Sequence, residues 1–204
     1  MEIVQLNANA KLSEHFTLGE FTRSGSHPEV YNIPSHEAIE NMKRLCIWLE
    51  VLRERYNDKY VVVKGDSSTS CVPSVASEQS SSALGMTGGG VLDMTARVEE
   101  PIRINSGYRS PQLNRAIGGA PNSNHLTGCA VDIRVSGMEQ LIRYAAILLD
   151  YADESKQDFD ELLIEKNRYG AIWLHFAVRP KDRSATQGDA CQSKNRRKVA
   201  FINA

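Results

Sequence analysis

The segment SNHLTGCAVD, residues 123–132, places His125 and Asp132 seven positions apart around Gly128. An imidazole leaving a polar loop, a glycine that permits a sharp turn and a carboxylate returning on an apolar run can together converge on a metal ion. A second histidine, His175, lies in the aromatic-flanked run AIWLHFAV. Two imidazoles and one carboxylate are a common donor set for a catalytic zinc, with the fourth position left to water. Each residue alone is a weak signal. A lone histidine on a strand is more often packed or at the surface, and a lone aspartate there more often pairs with an arginine, here Arg109 or Arg134. The combination carries the weight. His15, His27 and His36 lie in polar segments near the N-terminus and compete poorly.

These residues need elements to position them. Residues 34–56 read as an amphipathic helix, because Ile39, Met42, Leu45, Cys46, Leu49 and Leu52 recur at three- and four-residue steps and Ser35 suits the N-cap. Val61–Val63 begin a short strand, and Ile102–Asn105 form another. A short helix follows, with Ser110 at its N-cap, Pro111 at its first position and Gly118 just past its end. In AVDIRV, Val131, Ile133 and Val135 share one face while Ala130, Asp132 and Arg134 share the other. Ser136 and Glu139 suit a capping box for the helix MEQLIRYAAILLDY. FDELLIE (159–165) and AIWLHFAV (171–178) flank KNRYG and suggest a hairpin. Short helices mixed with hairpin strands argue for an α+β fold rather than a doubly wound sheet.

The 204 residues suit one domain. Residues 64–100, rich in Ser and Gly and without a sustained period, read as a surface insertion. From Arg179 to Lys198 seven Lys or Arg face two Asp, which reads as a solvated basic tail or a contact for an anionic wall polymer. A net charge of −1 gives no global argument for nucleic acid or an anionic membrane. No run is long enough to span a bilayer. The start shows no basic segment followed by an apolar one, so no secretory signal is expected. Cys46, Cys71, Cys129 and Cys191 form no CxxC, and reduced thiols are expected in preference to two disulfides.

SNHLTGCAVD resembles the S-x-H-x-x-G-x-A-x-D motif of the zinc D-Ala-D-Ala peptidases, the M15 family, and fills every fixed position. INSGYRS resembles the strand and turn that place an arginine over the substrate. WLH resembles the strand giving the last zinc ligand, and FTLGEFTRS resembles the N-terminal segment of the carboxypeptidase-like branch. The resemblance covers about residues 12–60 and 101–180, and relates the chain to D,D-dipeptidases and phage endolysins. It implies a hedgehog/D,D-peptidase-like fold, a small antiparallel sheet and flanking helices framing a zinc cleft. It also implies one zinc held by His125, Asp132 and His175, with Arg109 on the scissile carbonyl oxygen. A structural ion pair is the competing role for Arg109.

One position departs from the pattern. Many members carry an acid three residues before the last histidine, and Ile172 stands there. Glu165 is the candidate base, because FDELLIE is close to the D-x-L-I-x-E that often ends the preceding strand in this branch. If Arg168, Tyr169 and Gly170 form a three-residue loop with Gly170 left-handed, Glu165 pairs with Trp173. Glu165 and His175 are then diagonal neighbours on one face, roughly 7–8 Å apart at Cα. A two- or four-residue loop turns Glu165 away. Glu161 shares the face and is the weaker candidate. Ser123 either binds substrate or holds the loop, and Tyr108 either lines the cleft or belongs to the core. Trp173 is expected to pack beneath the site, Cys129 to be a small packed residue, and Asn122 and Asn124 to be loop residues.

The resulting expectation is a zinc metallopeptidase acting on peptidoglycan stem peptides at or near the D-Ala-D-Ala bond. The alternatives are a catalytically inactive zinc-stabilised module that binds cell-wall peptides, and an endolysin cutting an internal stem-peptide bond. That substrate lies outside the cytoplasmic membrane. Release during phage-type lysis, action on peptides inside the cell, and a start other than the natural one all remain open.

Overall fold

The computed structural model describes residues 7–61, 99–179 and 198–203. In chain order the elements are α1 (Leu18–Thr22), α2 (His36–Tyr60), β1 (Arg103–Ser106), α3 (Pro111–Ala116), a 3₁₀ turn (Asn124–Thr127), β2 (Ala130–Arg134), α4 (Met138–Ser155), β3 (Glu161–Lys166), β4 (Ile172–Ala177) and β5 (Lys198–Asn203). The strands form one sheet in the order β1-β2-β4-β3-β5. Every neighbouring pair is antiparallel except β3 and β5, which run parallel. This is the expected α+β class, with one parallel edge added.

The sheet is two-faced because strand side chains alternate. Val131, Ile133, Leu162, Leu174 and Phe176 are buried in one core with Met42, Leu45, Leu49 and Leu52 of α2 and Leu141 and Leu148 of α4. Trp48 of α2 ties the layers together, with its ring centroid 5.1 Å from Phe176 and 4.9 Å from Tyr151. The opposite face carries Asp132, His175 and Leu163 in one row, since Asp132 pairs with His175 and His175 with Leu163. Ser106 extends that row on β1, opposite Asp132, past an irregularity in the pairing after Ile104.

Ser35 caps α2 as expected, its hydroxyl accepting from the Ala38 N–H at 3.1 Å, a contact of about 1 kcal/mol. Ser110 and Pro111 open α3, and Gly118 follows it at φ +71. Three expectations are corrected. The helix continues through Tyr60, so Val61 is its C-cap and not the start of a strand. Ser136 does not cap α4: the N-cap is Gly137, in extended backbone, and the Gln140 carboxamide oxygen accepts from the Ser136 N–H at 2.7 Å. Glu139 instead contacts Arg143 one turn along the helix. Finally, β5 was not foreseen. It begins at Lys198, the last residue assigned to the basic tail.

Residues 62 and 63 of the expected strand, 64–98 of the expected insertion and 180–197 of the tail lie outside the described residues. Glu99 and Glu100 are anchored, the first to Arg53 at 2.7 Å and the second through Asn57 and Gln140. Cys46 and Cys129 are buried free thiols, and burial pushes the Cys46 thiol up to about 12. Among the described residues no helix is long and apolar enough to cross a membrane.

Candidate metal centre

His125 sits on the 3₁₀ turn, which two devices hold in place. The Ser123 hydroxyl accepts from the His125 N–H at its start, and Gly128 closes it in the left-handed region at φ +72. Space as well as φ demands glycine there, since a Cβ would lie 2.5 Å from the Ala38 carbonyl oxygen of α2. Asn41 of α2 adds a bond to the Thr127 carbonyl at 3.0 Å. The ring is then oriented by its contact with the Gly107 carbonyl, 2.6 Å from Nδ1. A carbonyl can only accept, so Nδ1 carries the proton and Nε2 presents its lone pair.

That lone pair faces Asp132 and His175. Asp132 Oδ1 lies 3.3 Å from His125 Nε2 and 2.8 Å from His175 Nδ1. All three residues are buried, and their donor atoms lie within 4.8 Å of one another. Bonds of about 2.0–2.1 Å to a tetrahedral ion put neighbouring donors about 3.3 Å apart, so these separations suit zinc. Burial pushes the Asp132 carboxyl up, but the two imidazoles beside it prevail and hold it well below the usual carboxylate range. For His175 burial opposes the charged ring, yet Asp132 and Glu161 push it up to about 9. A buried anion pressed between two imidazoles is the electrostatic setting in which a divalent cation replaces protons.

Arg109 arrives on the turn after β1. Its Nε donates to the Ser106 hydroxyl at 2.8 Å and its Nη2 to Asp132 Oδ2 at 2.6 Å. The guanidinium therefore makes the structural ion pair and also lines the cavity over the donors. That cavity, about 600 Å³, is bordered by Arg109, Ser123, Glu161, Glu165 and Ile202 as well as the three donors. A second cavity of about 530 Å³ shares Arg109 and holds Tyr108 and Trp173. Tyr108 is buried and borders the second of these two cavities and not the first, and Ser123 both holds the turn and borders the cavity over the donors. Cys129 is fully buried behind the turn, as expected.

Glu165 pairs with Trp173 in the expected register, and Gly170 is left-handed at φ +88. The Trp173 indole donates to Glu165 Oε2 at 2.6 Å and borders the second cavity, so Trp173 orients a carboxylate on the site face and is not among the core residues beneath it, where it was expected. Glu161 is the other diagonal neighbour of His175, with Oε2 3.6 Å from His175 Nε2. Ile172 packs against the core. It lies three positions before His175 on the same strand, an odd offset, so a side chain there projects to the far side of the sheet. An acid at that position would not face the donors in this fold. Asp160 and Lys198 also border the cavity and were not singled out from sequence, and Asn124, expected only as a loop residue, borders it from the 3₁₀ turn. Alternation in KVAFIN was the available signal for β5.

A buried two-histidine, one-carboxylate cluster on an α+β sheet, with an arginine and a glutamate beside it, has the parts of a metal-dependent hydrolytic centre. Residues 69–154 match the family model described as Peptidase M15. Over that stretch, which holds Arg109, His125 and Asp132 but ends before β3 and β4, the chain is similar to the M15 peptidases. This supports a zinc metallopeptidase. The match begins within the segment read as an insertion. Comparison with curated proteins finds no match.

Proposed function

We propose that this protein is a zinc metallopeptidase that hydrolyses peptidoglycan stem peptides at or near the D-Ala-D-Ala bond. The observation that carries the reading is the convergence of His125 Nε2, Asp132 Oδ1 and His175 Nδ1 under a cavity shared with Arg109 and Glu165. Zinc bound there supplies Lewis acidity and lowers the pKa of a water to about 7.

The side chains supply the remainder. Arg109 offers a fixed cation to the carbonyl oxygen as it gains charge during attack. Glu165 takes a proton from the attacking water as the new C–O bond forms. It returns that proton to the amine nitrogen as the C–N bond breaks. The indole of Trp173 limits the orientations of the carboxylate. Substitution by Ile172 is no sign of lost chemistry on this reading, because its side of β4 faces the core.

The test is to incubate zinc-loaded protein with purified peptidoglycan and defined stem peptides beside a chelated control, and to read products by mass spectrometry. Chelator-sensitive loss of one alanine is the expected result. A cut inside the stem or cross-bridge would make the protein an endopeptidase instead. No product from fully metallated protein would favour a binding module. The Glu165→Gln variant should keep its zinc and lose about 10²- to 10⁴-fold in rate.

A further inference from the structure

The two histidines of the centre are supported unequally. His125 has its outer nitrogen bonded to the Gly107 carbonyl at 2.6 Å. His175 is turned the other way, with Nδ1 toward Asp132 Oδ1 at 2.8 Å. Its Nε2 is buried and has no hydrogen-bond partner. A ring that offers the Nδ1 lone pair to a metal carries its proton at Nε2, and that N–H needs an acceptor.

One acceptor stands at that position. Glu161 Oε2 lies 3.6 Å from Nε2, and a shift of about half an ångström makes a hydrogen bond. The carboxylate is not a free surface group. Lys198 Nζ of β5 holds Oε1 at 3.1 Å, and Asn124 Nδ2 donates to Oε2 at 3.1 Å. The same Asn124 amide reaches Asp160 Oδ2 at 3.0 Å, and it belongs to the turn that carries His125. Glu165, on the other side of Leu163, is engaged by Trp173. Glu161 also stays outside the group of donors that converge.

We infer that Glu161 is a positioning residue for the metal centre: its carboxylate, held by Lys198 and Asn124, accepts the Nε2–H of His175 and fixes the ring with Nδ1 toward the ion. The inference rests on the metallopeptidase reading of the site, though not on which bond is cut. It makes β5 a supporting wall of the centre, and gives Glu161 a task distinct from the proton transfer assigned to Glu165.

The test uses the full chain with zinc as probe, and compares wild type with Glu161→Leu, Glu161→Gln and Lys198→Met. Two quantities are read: the zinc dissociation constant by competition with a chromogenic chelator, and the His175 Nε2–H proton resonance in zinc-loaded, ¹⁵N-histidine-labelled protein. Glu161→Leu should weaken zinc about 10- to 100-fold and lose the resonance to exchange, with circular dichroism unchanged. Glu161→Gln keeps an acceptor oxygen and should recover most of both, while Lys198→Met should lose affinity by a smaller factor. Wild-type affinity in folded Glu161→Leu overturns this inference alone. If that variant does not fold, Lys198→Met decides, and wild-type affinity there overturns it equally. A wild-type protein that takes up no zinc overturns the metallopeptidase reading and this inference together.

Discussion

Trp173 and Glu165 face each other across the β3–β4 hairpin, and the indole Nε1 donates to Glu165 Oε2 at 2.6 Å. An aromatic residue two positions before His175 thereby sets the direction of a carboxylate on the neighbouring strand. Trp173→Phe keeps a ring and removes the donor. Turnover should fall about tenfold through poorer orientation, with zinc content unchanged. Parallel assays of rate and bound metal check this, and an unchanged rate would argue that the indole bond plays no part in catalysis.

Arg109 touches Asp132 and the cavity at once. Its fork is used twice, at Ser106 and at Asp132, so a lysine cannot reproduce both bonds. Arg109→Met and Arg109→Lys should each lose about 10²- to 10³-fold in kcat. Zinc affinity should fall by a smaller factor, because both imidazoles still flank Asp132. Steady-state kinetics beside metal titration would separate the effects; equal losses in both would reduce Arg109 to a support for Asp132.

Metal uptake should depend on pH in a fixed direction. In the metal-free protein the His175 imidazole is pushed from its ordinary 6.5 up to about 9. Below that value the ring holds a proton that must leave before Nδ1 can bind an ion. Zinc affinity should therefore rise with pH, by about tenfold per unit for one released proton, and level off above about 9. Calorimetry in buffers of different ionisation enthalpy measures the proton release; affinity independent of pH would show that no proton is displaced.

Gly128 links the packing of α2 to the direction of His125. Alanine at this position would adopt φ +72 with its Cβ 2.5 Å from the Ala38 carbonyl oxygen. Gly128→Ala should cost about 1–3 kcal/mol in backbone strain before the steric clash is counted. Thermal unfolding of metal-free protein should show a Tm several degrees lower, and zinc affinity should fall as the turn is displaced. An unaltered Tm would mean that the turn and α2 can separate without cost.

Periodicity made α2 legible, since its apolar positions from Ile39 to Leu52 repeat over about four turns. The hairpin register was legible only as a condition: a three-residue loop with Gly170 left-handed pairs Glu165 with Trp173, a two- or four-residue loop does not, and the structure has the first. His125 and Asp132 could be read because SNHLTGCAVD fills every fixed position of the motif it resembles, while the residues taken singly were weak signals. The start of α4 was misread by one residue. Ser136 and Gly137 can each end an extended segment, and the bond that Ser136 N–H donates to the Gln140 carboxamide oxygen is not visible in local sequence. β5 stayed hidden for a related reason. Its six residues are an edge whose pairing comes wholly from β3, a partner thirty-odd positions earlier in the chain. The task of Glu161 was hidden too, because it depends on which nitrogen of His175 faces Asp132.

The donors come from two stretches of chain far apart in sequence: His125 and Asp132 from one turn and strand, and His175 from a hairpin 43 residues beyond Asp132. An ion that all three grip is therefore a clasp across a long loop, whose closure the chain must otherwise achieve against its own entropy. Only the folded arrangement brings the donors together, so free ion draws the population toward that state, by about 1.4 kcal/mol for each tenfold excess over its dissociation constant. Scarcity of the ion would then shorten the life of the molecule as well as silence it.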